Sequence, residues 1–292
     1  MSELPKISIV TPCLNHADFV EGTIQSVHGQ GYTNLEHVIM DGGSTDGSLD
    51  IIQRYADRLT WASGPDRGQY AAIATGFART SGEIMAWLNS DDIYLPGALT
   101  AVGEIFRAFP DVEWITTRFP MAIGSNGALI KMGCFPGFSK HHFVSGDFLP
   151  SCGWEAMGFI QQESTFWRRT LWERAGANFS EGLDYAGDFE LWARFFQHSA
   201  LYGLDVPLGC YRRHEAQKTS VAYEKYLDEA RMVFKHAGGK PPANARQRVR
   251  VGLLRACGTS IGCRRAATRM GLLNDVRNIT YDWASCSWIK EA

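Results

Sequence analysis

The sequence predicts an α/β fold: a mostly parallel sheet with helices on both faces, followed by a C-terminal helical extension. Three observations predict it. Apolar runs of strand length alternate with stretches of helical periodicity from Ile7 to about residue 117. The 292 residues are 45% hydrophobic, enough to bury a substantial core. Beyond Gly238, Gly239, Pro241 and Pro242 the composition changes, as it does after a linker.

Ile7 to Thr11 is an apolar run that suits a buried strand, and Val20, Ile24 and Val27 then recur at helical spacing after a cap expected at Asp18. Leu35 to Met40 gives the second strand, and Leu49, Ile52 and Tyr55 share one face of the next helix. Leu59 to Ala62 is a third strand, and Ile73 and Phe77 mark a helix beyond the loop Ser63 to Gly68. Ile84 to Leu88 is again a strand. Pro96 suits the first turn of a helix that carries Leu99, Val102 and Phe106 inward, and Val112 to Thr116 completes the series. Strands joined by helices of this length require right-handed crossovers and a parallel sheet, whose ligands bind beyond the carboxyl ends of the strands. That rule selects Thr11 to Asn15, Asp41 to Asp46 and Asn89 to Asp92.

From Arg118 to about Phe159 the periodicity fades into a segment too long for a simple connection, as expected of a region that covers a substrate. Helical spacing returns from Phe189 to His198, followed by strands at Leu201 to Leu204 and Leu208 to Arg212 and a helix from Tyr223 to His236. These breaks divide the chain into 1–237, itself in two parts near 1–117 and 118–237, and a basic helical extension, 238–292. Between Ala243 and Arg277 stand eight arginines, no lysine and one acid, Asp275.

The formal net charge of −2 provides no whole-protein field to recruit nucleic acid. Met1 to Lys6 leads directly into Ile7 to Val10 with no secretory signature, and no apolar stretch approaches spanning length. A cytoplasmic chain is expected, at most peripheral at the inner face of the membrane. Seven cysteines without a CxxC pair argue against a disulfide framework or a zinc knuckle.

Chemistry concentrates at a few turns. Asn89-Ser90-Asp91-Asp92 follows an apolar strand, and adjacent carboxylates there form a hard oxygen site for Mg²⁺ or Mn²⁺; the alternative is a pair of helix-capping acids. Asp41-Gly42-Gly43-Ser44-Thr45-Asp46-Gly47 opens a helix and could face a nucleotide, but Ser48 stands where a P-loop needs lysine. Asp188, at the start of the helical run Phe189 to Trp192, is either a cap or a base able to accept a hydroxyl proton. His214 follows Tyr211-Arg212-Arg213, an imidazole with two cations beside it. His141 and His142 lack a suitably spaced third ligand.

In this order the motifs resemble the family 2 glycosyltransferases of the Rossmann-like GT-A fold, through Ile9-Val10-Thr11-Pro12, Asp41 to Gly47, Asp66-Arg67-Gly68-Gln69, Leu88 to Asp92 and Gly187 to Trp192. The resemblance implies that Thr11, Pro12 and Asp41 frame the nucleobase, with Asn15 and Ser90 beside them, and that Asp66, Arg67 and Gln69 border the nucleotide. Asn89 and Asp91 would be the two ends of the Asp-x-Asp element, with Asp91, Asp92 and His214 at the metal. Asn89 departs from the commoner aspartate and removes one negative charge. Asp188 matches the base, although Gly187 replaces the acid that often precedes it.

The implied reaction is a metal-dependent, inverting transfer of a hexosyl or N-acetylhexosaminyl unit from a UDP-sugar to a carbohydrate or lipid-linked acceptor, as in bacterial polysaccharide or glycolipid assembly. Gln162, Glu163, Trp154, Phe159 and Trp167 are candidates to line the acceptor site, the aromatics being equally suited to a core. Two competing readings are a nucleotide-sugar-binding protein with impaired catalysis and a nucleotidyltransferase; the latter would need an activation loop that Thr11 to Asn15 does not offer. The basic C-terminal segment is expected either on an anionic membrane surface or packed on its own domain or a second subunit of a homo-oligomer.

Overall fold

The computed structural model describes residues 3–149, 158–215, 217–218, 222–240, 261–273 and 275–291. Trp154 and residues 243–260 of the basic segment lie outside them.

The strands β1 (Ile7–Cys13), β2 (Leu35–Asp41), β3 (Thr60–Ser63) and β4 (Ile84–Trp87) pair in the order β4-β1-β2-β3, all parallel. Every residue of β1 and β4 is buried, which is why both read as uninterrupted apolar runs: each has a helical layer on both faces. The crossover helices are α1 (Val20–His28), α2 (Ser48–Gln53) and α3 (Gln69–Phe77), and α4 (Ala98–Ala108) follows β5 (Ile93–Tyr94). Beyond β4 the sheet continues through antiparallel β9 (Phe166–Arg168) to β6 (Trp114–Thr117) and β10 (Leu201–Leu204), which run with the first four strands.

The expected cap at Asp18 does not form. Helix α1 begins after Phe19, with no side-chain cap, and Asp18 is exposed. The Asp46 carboxylate accepts the Ala17 N–H instead, at 2.9 Å. That bond ties the turn before the helix to the glycine-rich turn, and the chain enters α1 through bonds from the Phe19 and Val20 N–H groups to the His16 carbonyl.

The segment from residue 118 contains more regular structure than its composition suggests. Strands β7 (Met121–Gly124) and β8 (Leu129–Met132) join β5 and β11 (Gly209–Arg213) in a second sheet, ordered β5-β11-β7-β8, and α5 (Lys140–Val144) follows. Sequence periodicity found β11 but not β5, β7 or β8, which are only two to four residues long. A buried 3₁₀ turn, Gln162–Ser164, then leads into β9, α6 (Arg169–Arg174), α7 (Gly187–His198) and α8 (Tyr223–His236).

The C-terminal extension is helical only in part. Helix α9 (Ile261–Arg269) is followed by a hairpin, β12 (Arg277–Asp282) and β13 (Ser287–Lys290), and β12 pairs with β10 to lengthen the main sheet. The expectation of a purely helical extension is corrected here. β12 buries only the adjacent pair Asn278 and Ile279 and so shows no alternation, and the turn uses no Asn-Gly pair: the Asp282 carboxylate accepts the Ala284 and Ser285 N–H groups. Arg264 turns inward, 3.3 Å from Asp205 and 2.6 Å from Glu291, and Glu291 also accepts from Asn278. The described part of the basic segment therefore docks on its own domain through paired charges. Among the described residues, no helix is long and apolar enough to cross a membrane.

The core on the α7 side is aromatic. Trp87, Trp114 and Trp167 surround Trp192 of α7 with ring centroids 5.7–5.8 Å apart, and all four side chains are fully buried. Trp167 is thus core, whereas Phe159 is 45% exposed. Edge and offset contacts among large rings bury much apolar area at defined angles. That gives a stiff floor beneath the strand ends.

Candidate active site

Beyond β4 the turn Asn89 to Asp92 separates two adjacent carboxylates. The Asp92 side chain is buried, with Oδ1 accepting the Arg212 backbone N–H at 2.7 Å and Oδ2 accepting from Asn89 Nδ2 at 3.1 Å. Burial, then the charges of Asp91 and Glu163, pushes its carboxyl well above the usual range. Asp91 points the other way. Its Oδ2 lies 3.0 Å from His214 Nε2, and Arg212 Nε donates to its backbone carbonyl at 2.6 Å. One strand, β11, therefore fixes both acids and delivers His214 beside one of them.

His16, from the first βα turn, completes this corner. A ligand atom from each of His16, Asp91 and His214 lies within 4.8 Å of the others. His16 Nδ1 is 2.7 Å from the Ser90 hydroxyl, and the Phe19 ring packs on His214 with centroids 4.5 Å apart. A carboxylate with two imidazoles is a donor set that fits a divalent first-row ion. Asp92 is not in this set, because its oxygens face Arg212 and Asn89.

The opposite wall carries Asp188 and Glu163. The Asp188 Oδ1 atom is buried without a hydrogen-bond partner, and burial pushes the carboxyl up to about 6. The turn before it is pinned from α8: the Glu229 carboxylate accepts the N–H groups of Asp184 (3.1 Å), Tyr185 (2.8 Å) and Ala186 (2.8 Å). The Tyr70 hydroxyl donates to the Tyr185 carbonyl at 2.7 Å, and its ring lies where a Cβ on residue 187 would come within 2.7 Å of it. Gly187 is therefore dictated by Tyr70, which accounts for the missing acid at this position. Glu163, on the 3₁₀ turn, is raised to about 7 by burial, with the charges of Asp188 and Asp91 adding to the shift, and its Oε2 has no partner.

The nucleotide-side candidates fall into two groups. Asp41 ends β2 and closes the glycine-rich turn on itself, accepting from the Gly43 and Ser44 N–H groups (both 3.1 Å) and the Ser63 hydroxyl (2.6 Å). Asp41, Asp66 and Arg67 line a cleft of about 320 Å³ together with Ser63, Pro65 and Arg79. Gln69, at the start of α3, bridges toward the metal corner by donating to Asn89 Oδ1 at 2.8 Å. Asn89 in turn donates to Gln162 Oε1 at 3.3 Å. Thr11 and Pro12 are buried, and the Thr11 hydroxyl is engaged with His37 Nε2 at 3.0 Å inside the fold. Asn15 is exposed and accepts the Thr45 N–H at 2.9 Å, so it braces the glycine-rich turn. Ser90 is buried against His16.

Sequence reasoning did not single out His16, Tyr70, Lys218 or Glu229. His16 directly follows the selected turn Thr11 to Asn15, and Lys218 lies four residues past His214; both offered a positional signal. Lys218 Nζ donates to Gln69 Oε1 at 3.3 Å and sits 5.0 Å from the Tyr185 ring centroid. Glu229 reaches its partners from more than forty residues away in sequence and offered none.

Residues 8–121 match the family model described as "Glycosyl transferase family 2". An uncharacterized glycosyltransferase of Rickettsia prowazekii (strain Madrid E) is 26% identical over 230 residues, covering 77% of this chain and 70% of that one. Other curated relatives are matched over about a third of their length. Among solved structures, S. aureus TarS 1-349 in complex with UDP-GlcNAc superposes with a TM-score of 0.62 at 15% identity, covering 92% of this chain and 76% of TarS 1-349. The mannosyltransferase PcManGT from Pyrobaculum calidifontis, in complex with GDP-Man and Mn2+, gives 0.56 at 16% identity, covering 93% and 81%. At these identities the structural likeness establishes the shared fold.

Proposed function

We propose, from the match of residues 8–121 to the family 2 glycosyltransferases and from the shared GT-A-type fold, that this chain transfers a sugar from a UDP-sugar to an acceptor hydroxyl with inversion. One observation carries the reading. A half-buried carboxylate whose Oδ1 has no hydrogen-bond partner, Asp188, belongs with Glu163 to the same region as the corner in which Asp91, His16 and His214 converge.

Each part has a role in such a displacement. Asp41, Asp66 and Arg67 would hold the nucleotide in the cleft beyond β2 and β3. Asp91 and His214, with His16 beside them, would hold a divalent ion; when bound, it supplies positive charge to the leaving diphosphate. Asp188 would accept the acceptor hydroxyl proton at its free Oδ1 while that oxygen attacks the anomeric carbon from the face opposite the diphosphate. Clamped by Glu229 and backed by Tyr70, the base keeps its position without a bond to its reacting oxygen. The acceptor would enter past Glu163 and Gln162, and a carbohydrate or lipid-linked sugar fits the family.

UDP in TarS and Mn2+ in PcManGT support this assignment of donor class and ion by analogy. A panel of nucleotide sugars, scored for hydrolysis and thermal stabilisation with Mn²⁺ and with chelator, tests it. UDP-sugars should be cleaved and should stabilise the protein only with the ion. Cleavage that chelator leaves intact, or a preference for another nucleobase, would contradict the reading.

A further inference from the structure

His16 is held in place by bonds at three successive residues. The Asn15, His16 and Ala17 N–H groups donate to Ser44 Oγ (2.8 Å), Ser48 Oγ (2.9 Å) and Asp46 Oδ2 (2.9 Å). The loop after β1 is thereby buttoned to the glycine-rich turn, and Asn15 takes a left-handed φ of 54° to make the bend. The ring is fixed as well. Its Nδ1 meets the buried Ser90 hydroxyl at 2.7 Å, and His214 stands edge-on to it with centroids 5.9 Å apart. With Nδ1 as donor to Ser90, Nε2 keeps a lone pair, and a ring nitrogen of His16 lies within 4.8 Å of the ligand atoms of Asp91 and His214. A hydrogen bond to the far nitrogen is the usual means of fixing the tautomer and orientation of a ligating histidine.

The rest of the turn adds no carboxylate. Asp92 is engaged by Arg212 and Asn89, and the Asn89 amide by Gln69, Asp92 and Gln162. Among the described residues, the donors that converge at this corner are two imidazole nitrogens and one carboxylate oxygen. Mg²⁺ favours oxygen and gives up water reluctantly, whereas imidazole suits first-row transition ions.

We propose that His16 is the third protein ligand of the metal corner, and that the two imidazoles make the site select Mn²⁺ over Mg²⁺. The proposal rests on the reading that Asp91 binds the ion. Neither the family match nor the identity of the neighbours assigns a role to His16.

Mn²⁺ titrations of the full-length protein, followed by the paramagnetic resonance of free Mn²⁺ with and without UDP, test it, with Mg²⁺ measured by displacement. In the parent labelled with ¹⁵N-histidine, bound Mn²⁺ should couple to two imidazole nitrogens. His16→Gln should leave one coupling and weaken Mn²⁺ by roughly tenfold or more, the loss that even a displaced supporting group causes at metal sites. Mg²⁺ affinity should hardly change, so the selectivity narrows, and His16→Asp should shift it toward Mg²⁺. An unchanged melting temperature without metal confirms the fold. If His16→Gln keeps parental Mn²⁺ affinity and both couplings while Asp91→Ala loses the ion, His16 is not a ligand and the underlying reading survives. If Asp91→Ala binds Mn²⁺ as the parent does, the underlying reading fails with it.

Discussion

The turns at 89–92 and 184–188 each carry a carboxylate of the candidate site, and they hold it in opposite ways. Asp91 lies against His214, with Arg212 on its backbone carbonyl and His16 in reach. Asp188 has a buried oxygen with no partner, and its turn is fixed through backbone N–H groups by Glu229. Asp91 is thereby aimed at a corner it shares with two imidazoles. Burial around Asp188 favours a proton. The two acids are set up for different tasks in one reaction, and the contrast can be broken at either turn.

The largest effect that sharpens it is the pH dependence of transfer. With Asp188 raised to about 6, the ionised base prevails above that pH and is titrated away below it. Turnover at saturating substrates should be flat above about pH 7 and fall roughly tenfold per unit below the group's pKa. Asp188→Asn should abolish this limb. A profile that is flat down to pH 5 would mean that no group at this turn takes the proton.

A smaller effect is expected from the acid between the two turns. Glu163 is raised from 4.5 to about 7 by burial, so the folded state holds its proton to higher pH than the unfolded chain does. Its contribution to stability is fully present below the unfolded pKa and is lost as pH rises through about 7. Glu163→Gln is neutral at every pH. It should be more stable than the parent at pH 8 by on the order of 1–3 kcal/mol, with the gap closing below about pH 5. Urea melts at the two pH values check this; equal stability at pH 8 would show that Glu163 ionises there without cost.

The contrast also marks what the sequence could convey. Asp91 and Asp188 were legible because each sits at the boundary of a strongly patterned element, the apolar run Ile84 to Leu88 and the helix from Phe189. The parallel strands and their crossovers were legible for the same reason. Which of two neighbouring acids faces the site was not legible: β11 decides it from more than a hundred residues away, through the Arg212 N–H on Asp92. Gly187 read as a departure until Tyr70 was seen to occupy the space of its missing side chain. The hairpin β12-β13 was not legible, because strands this short are defined by their partner, here β10, more than by their own pattern.

The division of labour between the two turns is tested most directly by measuring Mn²⁺-dependent UDP binding and single-turnover transfer on both Asp91→Asn and Asp188→Asn. The account predicts that Asp91→Asn loses metal-dependent binding. Asp188→Asn should bind UDP and Mn²⁺ as the parent does while transfer falls by roughly a hundredfold or more. Parental transfer by Asp188→Asn, or parental metal-dependent binding by Asp91→Asn, would contradict it.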